Sequence, residues 1–287
     1  MDLLFSLLFA FGAMLCWGIG DFFIQRTTRV VGNIEALAWI GIIGSIGLTP
    51  FVINDLTQLI NTSNIIFLIA LGIVVFVAAI FNFQALKEGK LSVIDVVLTL
   101  ELPVTIILSI LFFKEVLSPL QIIMISSMMI GIILIATEKF SSYKQLIEKG
   151  VYIAIVAAVL TGAVNFMTAT GSKIISPVIA VWAPWVLMTI FCLIVIAYRK
   201  GFGEFVSKAK EHTSLILFMG IFDTVAWIFY AYAVQDYEIS IITAIAGGYP
   251  AIAMLVGLWF NKESIKWYQY IGAGVALVAS FVLAMTL

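Results

Sequence analysis

Long apolar stretches, separated by short polar interruptions, fill this chain almost from end to end. A helix needs about 20 mostly apolar residues to cross the ~30 Å hydrocarbon core of a bilayer. On that measure the pattern predicts ten spans, over 3–25, 34–53, 65–86, 92–112, 119–138, 150–171, 177–198, 213–234, 240–260 and 267–286. The polar stretch 54–64 separates the second and third spans, and Lys114-Glu115 with Pro119 separates the fourth and fifth. The longest connections, 139–149 and 199–212, are too short to be soluble domains. The N-terminus is apolar at once and lacks the basic region and cleavage site of a signal peptide, so it is read as a retained first span.

The spans repeat. Ala85, Ser92, Pro103, Lys114-Glu115 and Gln121 recur as Ala233, Ser240, Pro250, Lys262-Glu263 and Gln269. The separation is 148 residues except at the proline, where it is 147, which predicts a residue gained or lost within the span. Earlier, Gly18, Asp21, Phe22 and Ala36 match Gly162, Asn165, Phe166 and Ala180 at a separation of 144. The expected domains are a first five-helix repeat over 1–138, a connecting loop over 139–149 and a second repeat over 150–287. An odd number of spans per repeat makes the second copy enter the membrane upside down. The expected fold class is therefore an all-α membrane protein: ten transmembrane helices in two inverted five-helix repeats around a central cavity. Gly41, Gly44, Gly47, Gly272 and Gly274 are expected to let helix backbones approach.

Composition agrees, with 63% hydrophobic and 11% charged residues, against roughly 45–50% and 25% in soluble domains. A net charge of −1 suggests no nucleic-acid partner. Basic residues are unevenly placed: 13 of the 15 Lys and Arg lie in the odd-numbered connections, which predicts those connections in the cytoplasm and both termini outside. Cys16 and Cys192 lie inside apolar runs and His212 is the single histidine, so there is no ligand set for a metal. Nothing has the form of a phosphate-binding loop, so ATP does not drive the protein directly. No cofactor and no catalytic residue is expected.

An ionisable group at membrane depth costs roughly 3 kcal/mol on insertion scales and generally faces a cavity or a partner. Glu101 falls in the middle of the fourth predicted span and Asp223 in the middle of the eighth; Asp21, Asp95 and Glu35 fall nearer span ends. Helical spacing extends these points into polar stripes: Glu101, Thr105 and Ser109; Asp223, Trp227 and Tyr230; Thr161, Asn165, Thr168 and Ser172; Trp17, Asp21 and Gln25. Tyr249-Pro250 after Gly247-Gly248 predicts an irregular helix, and Pro103 places a second break beside Glu101. Broken backbone at membrane depth is tolerated where it borders a cavity. Trp182 and Trp185 straddle Pro184, where they would bend the seventh span or line a mouth, while Trp259, Trp267, Tyr268 and Tyr270 read as an interfacial belt.

These residues resemble the EamA-type transporters of the drug/metabolite transporter superfamily. The matching marks are Cys16-Trp17-Gly18, Pro103 and Pro250, Glu115 and Glu263, Gly131, and Gly272 or Gly274. The resemblance covers the whole chain through short motifs. It implies a ten-helix carrier with a cavity lined by the first, third, fourth, sixth, eighth and ninth helices, and family substrates that span amino acids, sugars, nucleotide-type metabolites and drugs. Members are generally described with both termini in the cytoplasm, the reverse of the charge count.

The expected function is secondary transport of a small polar or amphipathic metabolite by alternating access, coupled to protons or another cation through Glu101 and Asp223. The expected substrate contacts are Trp17, Asp21, Asn82, Glu101, Asn165, Asp223, Trp227, Tyr230 and Tyr249. A sugar would favour Asn82, Gln84 and Asn165, whereas an amino acid would want paired opposite charges, for which Lys173 is the nearest base. The alternative is a membrane-embedded lipid flippase or enzyme using the central carboxylates. The expected partners are the substrate, membrane lipid and protons, with the chain a monomer or weak homodimer in the cell membrane.

Overall fold

A computed structural model describes residues 2–88, 97–136, 149–199, 201–261 and 266–287, and these are helical with short turns and no strand. Asp95, Ser92, Lys262 and Glu263 lie outside the described residues. The helices are α1 (Leu3–Val31), α2 (Asn33–Val52), α3 (Thr62–Glu88), α4 (Glu101–Phe113), α5 (Pro119–Ala136), α6 (Lys149–Ile174), α7 (Pro177–Tyr198), α8 (Phe202–Glu211), α9 (Thr213–Ala233), α10 (Ile239–Ala246), α11 (Tyr249–Val256) and α12 (Trp267–Ala284). Among the described residues, eight helical stretches are long and apolar enough to cross a bilayer; Glu101–Phe113 and Pro119–Ile135 are shorter apolar helices.

Several boundaries differ from the hydropathy pattern, each for a local reason. Helix α1 runs past Gln25 to Val31, carrying Arg26 and Arg29 on its last turns, and stops where Gly32 takes φ 104° and returns its N–H to Thr28 O at 3.1 Å. A positive φ of that size suits glycine, which has no Cβ to clash. The two stretches read as connections are in fact helical: Ile53–Ile60 forms a 3₁₀ helix and 202–211 forms α8. Each follows the second span of its half. In α8 a single buried residue, Phe205, stacks on Trp39 of α2 with centroids 4.7 Å apart and planes 13° apart. Mean hydropathy missed both because only one face of a short helix is apolar.

The fold repeats its own contacts when the halves are exchanged. Helix α1 packs along α9 as α6 packs along α3; α1 meets α11 as α6 meets α4; α2 meets α9 as α7 meets α3. The remaining long contacts pair a helix with its own repeat mate, α2 with α7 and α5 with α12. In both pairs the mates run antiparallel. Trp182 of α7 donates to Ser45 O and Thr49 Oγ1 near the end of α2, both at 3.1 Å, while earlier on α2 Gly41 faces Thr189, further along α7. On α12, Gln269 Nε2 near the start donates to Ile135 O near the end of α5 at 2.7 Å, and Gln121 Nε2 near the start of α5 donates to Thr286 Oγ1 at 3.3 Å. Antiparallel mates are what an inverted repeat requires.

Small residues set the closest approaches. A Cβ on Gly131 would lie 2.6 Å from Gly272 O, and one on Gly272 would lie 2.5 Å from Gly131 O, so both positions must stay bare for α5 and α12 to touch. Gly41 and Gly44 are closed in the same way by Thr189 and Trp185, whereas Gly47 and Gly274 meet nothing within 4 Å and are not contact residues. Trp182 and Trp185 therefore grip α2 instead of lining a mouth, and α7 continues through Pro184.

Candidate binding cavity

Two helix interruptions create the site. The first lies at Thr99–Leu100, between a short helical segment at Val97–Leu98 and the start of α4. The second lies at Gly247–Gly248, between α10 and α11. At each, the chain tightens to a bond across three residues: Leu100 N to Val97 O at 3.1 Å, and Gly248 N to Ile245 O at 3.2 Å. These two bonds are related by 148 residues. So are the residues that follow and meet a glycine of the helix packed against them: Glu101 O and Val104 face Gly162, while Tyr249 O and Ile252 face Gly18. The register is thus unbroken through the interruption, and no residue is gained or lost there. Pro103 and Pro250 sit at neighbouring positions that are not equivalent, each removing one donor from the first turn of its helix, where donors lack intrahelical partners anyway. Glu101 consequently opens a new helix instead of occupying the middle of a continuous one.

Between the interruptions lies a cavity of about 220 Å³. Its walls come from α1, α3, α4, α6, α9 and the α10–α11 pair, with Ile132 from α5. It gathers Trp17, Asp21, Asn82, Glu101, Asn165, Asp223, Trp227, Tyr230 and Tyr249, together with Thr161. The outer parts of the polar stripes turn away into packing. Thr105 Oγ1 donates to Glu101 O at 2.9 Å and Gly162 O at 3.1 Å, Ser109 to Thr105 O, and Ser172 to Thr168 O. Gln84 is exposed and Asn82 alone of that pair reaches the cavity.

Aromatic rings make up one side. Trp17 lies 5.2 Å from Trp227 with planes at 83°, 5.5 Å from Tyr230 and 6.1 Å from Tyr249. Trp185 backs Trp227 at 5.6 Å. The carboxyl groups are held by this aromatic wall, Glu101 by hydrogen bonding to Tyr249 and Asp223 by hydrogen bonding to Trp227. Tyr230, fully buried, shares a 2.7 Å hydrogen bond with Thr243 Oγ1 and donates to Asn165 O at 3.3 Å, joining α9 to α10 and α6.

Two polar residues singled out in the sequence prove structural and do not line the cavity. Glu115, singled out as a repeat mark, accepts from Ile239 N at 2.7 Å and Ser240 N at 3.0 Å, capping α10 through its unpaired N–H groups. Lys173 does not line the cavity; its Nζ donates to Tyr237 O at 2.7 Å and Gln235 O at 3.3 Å, tying the end of α6 to the α9–α10 connection. Thr243 and Thr99 also line the cavity without having been singled out. Thr243 precedes Gly247 by one helical turn, a spacing that could have marked it. Among the described residues no group of three or more His, Cys, Asp or Glu is arranged to hold a metal.

The model of the EamA-like transporter family matches this chain twice, at residues 4–137 and 148–285. A solved structure titled "Crystal structure of protein" has the same fold, with a TM-score of 0.78 at 14% identity over 98% of this chain and 96% of that one. No curated protein matches the chain.

Proposed function

The chain belongs to the EamA-like transporter family, and from that premise we propose that it is a secondary transporter moving a small polar or amphipathic metabolite by alternating access. It is an integral, multi-pass membrane protein. The observation that carries the reading is convergence: polar residues scattered over seven helices face one cavity, and both helix interruptions open onto it. Inverted halves around a central site let one half rock against the other and expose the site to each side in turn. The interruptions at Thr99–Leu100 and Gly247–Gly248 supply the hinges.

Glu101 and Asp223 are the proposed coupling groups. A carboxylate in a low-dielectric cavity is costly unless it is protonated or paired. Substrate and proton can therefore replace one another there, which links transport to a pH gradient. Trp17, Asp21, Asn82, Asn165, Trp227, Tyr230 and Tyr249 are the proposed substrate contacts, with Pro103 and Pro250 at the helix breaks. The basic bias supports termini outside the cell membrane; a reporter fused after Leu287 that is active only in the cytoplasm would reverse that orientation. The transport reading is tested by a thermal-shift screen of metabolites on purified protein, since a ligand of the folded state raises its midpoint, followed by counterflow of each hit in liposomes. Hits that bind but never exchange would leave a sensor, not a carrier.

A further inference from the structure

We infer that Lys173 and Glu115 form a releasable latch, which holds the cavity shut at the end where α6 stops and α10 begins and must part for substrate to pass there. The inference rests on the transport reading of the same cavity and adds the contacts that gate it. Around the cavity, α6 packs along α3 and α4, while α1 packs along α9 and α11. The stretch 235–240, between α9 and the first turn of α10, is held by side chains from the α4 and α6 side. Lys173 Nζ, at the end of α6, donates to Gln235 O at 3.3 Å and Tyr237 O at 2.7 Å. Glu115, just beyond α4, accepts from Ile239 N at 2.7 Å and Ser240 N at 3.0 Å. Nearer the cavity, Tyr230 donates to Asn165 O at 3.3 Å, and every residue of α10 is buried, so this end is closed.

Three features separate a latch from fixed scaffold. The bonds lie at an edge that water reaches: Lys173 and Glu115 are half-buried, and Asp236 and Glu238 beside them are exposed. Water there replaces each hydrogen bond as it breaks, so opening costs far less than breaking the same bonds in an apolar interior. The charges are also balanced on one group. Glu115, Asp236 and Glu238 are the charged neighbours of Lys173, so without its ammonium the carboxylates on the two sides of the contact repel one another. Finally, the two ends of the molecule differ at this position. Arg29 stands 144 residues before Lys173, as Gly18 and Asp21 stand before Gly162 and Asn165, and it lies exposed at the end of α1. The duplicated frame thus carries a base at the same place in both halves, engaged at one end and exposed at the other. Inverted halves that open one site to each side in turn require their ends to differ in this way.

The test is the rate at which a small charged methanethiosulfonate modifies a cysteine placed under the latch, in purified full-length protein carrying Cys16→Ser. Ala169, one turn before Lys173 on α6, is fully buried in the apolar cluster that also holds Ala233, Val234 and Ile239, so Ala169→Cys reports opening at this end. Cys192, fully buried on α7 in a different cluster, is the internal control, and the two sites are told apart by mass. Lys173→Met keeps an apolar stem and removes the charge. It should speed modification at Ala169→Cys by about tenfold or more, with Cys192 unchanged within about twofold, because the opening is local. Glu115→Gln should act in the same direction to a smaller extent. Lys173→Arg keeps a charged donor and should return the rate to within about threefold of the parent. No acceleration at Ala169→Cys, or equal acceleration at Cys192, overturns the latch and leaves a structural tie. Ala233→Cys repeats the measurement from the facing helix if Ala169→Cys does not fold. Liposome counterflow separates this claim from the transport reading. Accelerated modification with no counterflow of any metabolite would keep the latch and discard the carrier. Counterflow by a protein whose modification rates do not respond to Lys173→Met would keep the carrier and discard the latch.

Discussion

The two helix interruptions have one backbone and two chemistries. Each closes the same tightened turn, and each presents its next carbonyl to a glycine of the helix packed against it, Glu101 O to Gly162 and Tyr249 O to Gly18. Yet the residue at that shared position is a carboxylic acid in one half and a phenol in the other, and the two hydrogen-bond across the cavity. The duplicated frame keeps the geometry required for helices to break and touch. The side chains facing the cavity are free to diverge, because the site is single and each half supplies a different part of it. At the α5–α12 contact the halves keep the same residue, Gln121 and Gln269, neither of which lines the cavity.

If the frame is shared, filling either glycine should do equal damage. A Cβ on Gly162 would lie 2.7 Å from Glu101 O, and one on Gly18 would lie 2.9 Å from Tyr249 O and 2.5 Å from Ile252. Overpacking of this kind costs about 1–3 kcal/mol, so Gly162→Ala and Gly18→Ala should each speed thermal inactivation in detergent and abolish liposome transport. Loss of activity in only one of them would show that the halves do not depend equally on this contact.

The chemistry should divide where the frame does not. Glu101→Gln keeps the shape and removes the charge. It should lower uptake driven by a pH gradient about tenfold or more, equivalent to about 1.4 kcal/mol in the barrier, while counterflow of a bound substrate stays within about twofold. Tyr249→Phe removes one hydrogen bond to that carboxyl group, a loss of about 0.5–1.5 kcal/mol. It should slow both assays by roughly two- to tenfold without erasing the response to the gradient. Asp223→Asn should weaken binding more than it weakens coupling, measured as a rise in KM at nearly constant kcat. Wild-type behaviour of Glu101→Gln and Asp223→Asn in both assays would make these carboxyl groups structural.

How far the sequence led follows the same division. Hydropathy found eight membrane-crossing stretches among the described residues, because bilayer thickness imposes a length on apolar runs; the fourth and fifth of the ten expected spans are shorter apolar helices there. The polar residues of the cavity were legible because a carboxylate or a polar stripe inside such a run needs a reason to be there. The interruption before Glu101 was placed too far along, at Pro103, because proline is the visible mark of a break. The turn itself is at Thr99–Leu100, two residues with no such mark. Glu115 and Lys173 could not be assigned from spacing, since their partners are backbone groups of a connection well over a hundred or sixty residues away in sequence. The 3₁₀ segment and α8 were hidden by polar composition.

The smallest effect expected is an inequality between two residues that look alike. Gln121 and Gln269 both cap their own helix, Gln121 Oε1 accepting from Ser118 N and Gln269 Oε1 from Lys266 N, each at 2.8 Å. Both then reach to the far end of the partner helix, but they find different acceptors. Gln269 Nε2 meets a main-chain carbonyl, Ile135 O, at 2.7 Å, whereas Gln121 Nε2 meets the Thr286 hydroxyl at 3.3 Å, an oxygen that already donates to Leu283 O. Losing a cap costs about 0.5–2 kcal/mol, and a net hydrogen bond about 0.5–1.5 kcal/mol. Gln269→Ala should therefore reduce stability by about 1–2 kcal/mol and Gln121→Ala by about half as much, because the shorter bond satisfies a carbonyl at a helix end. The rates of thermal inactivation in detergent rank the two variants. Neither should change transport at moderate temperature, since neither residue borders the cavity. Equal destabilisation would mean that the halves are as alike in energy as in geometry at this contact; loss of transport in either would mean that the α5–α12 contact takes part in the rocking of the halves.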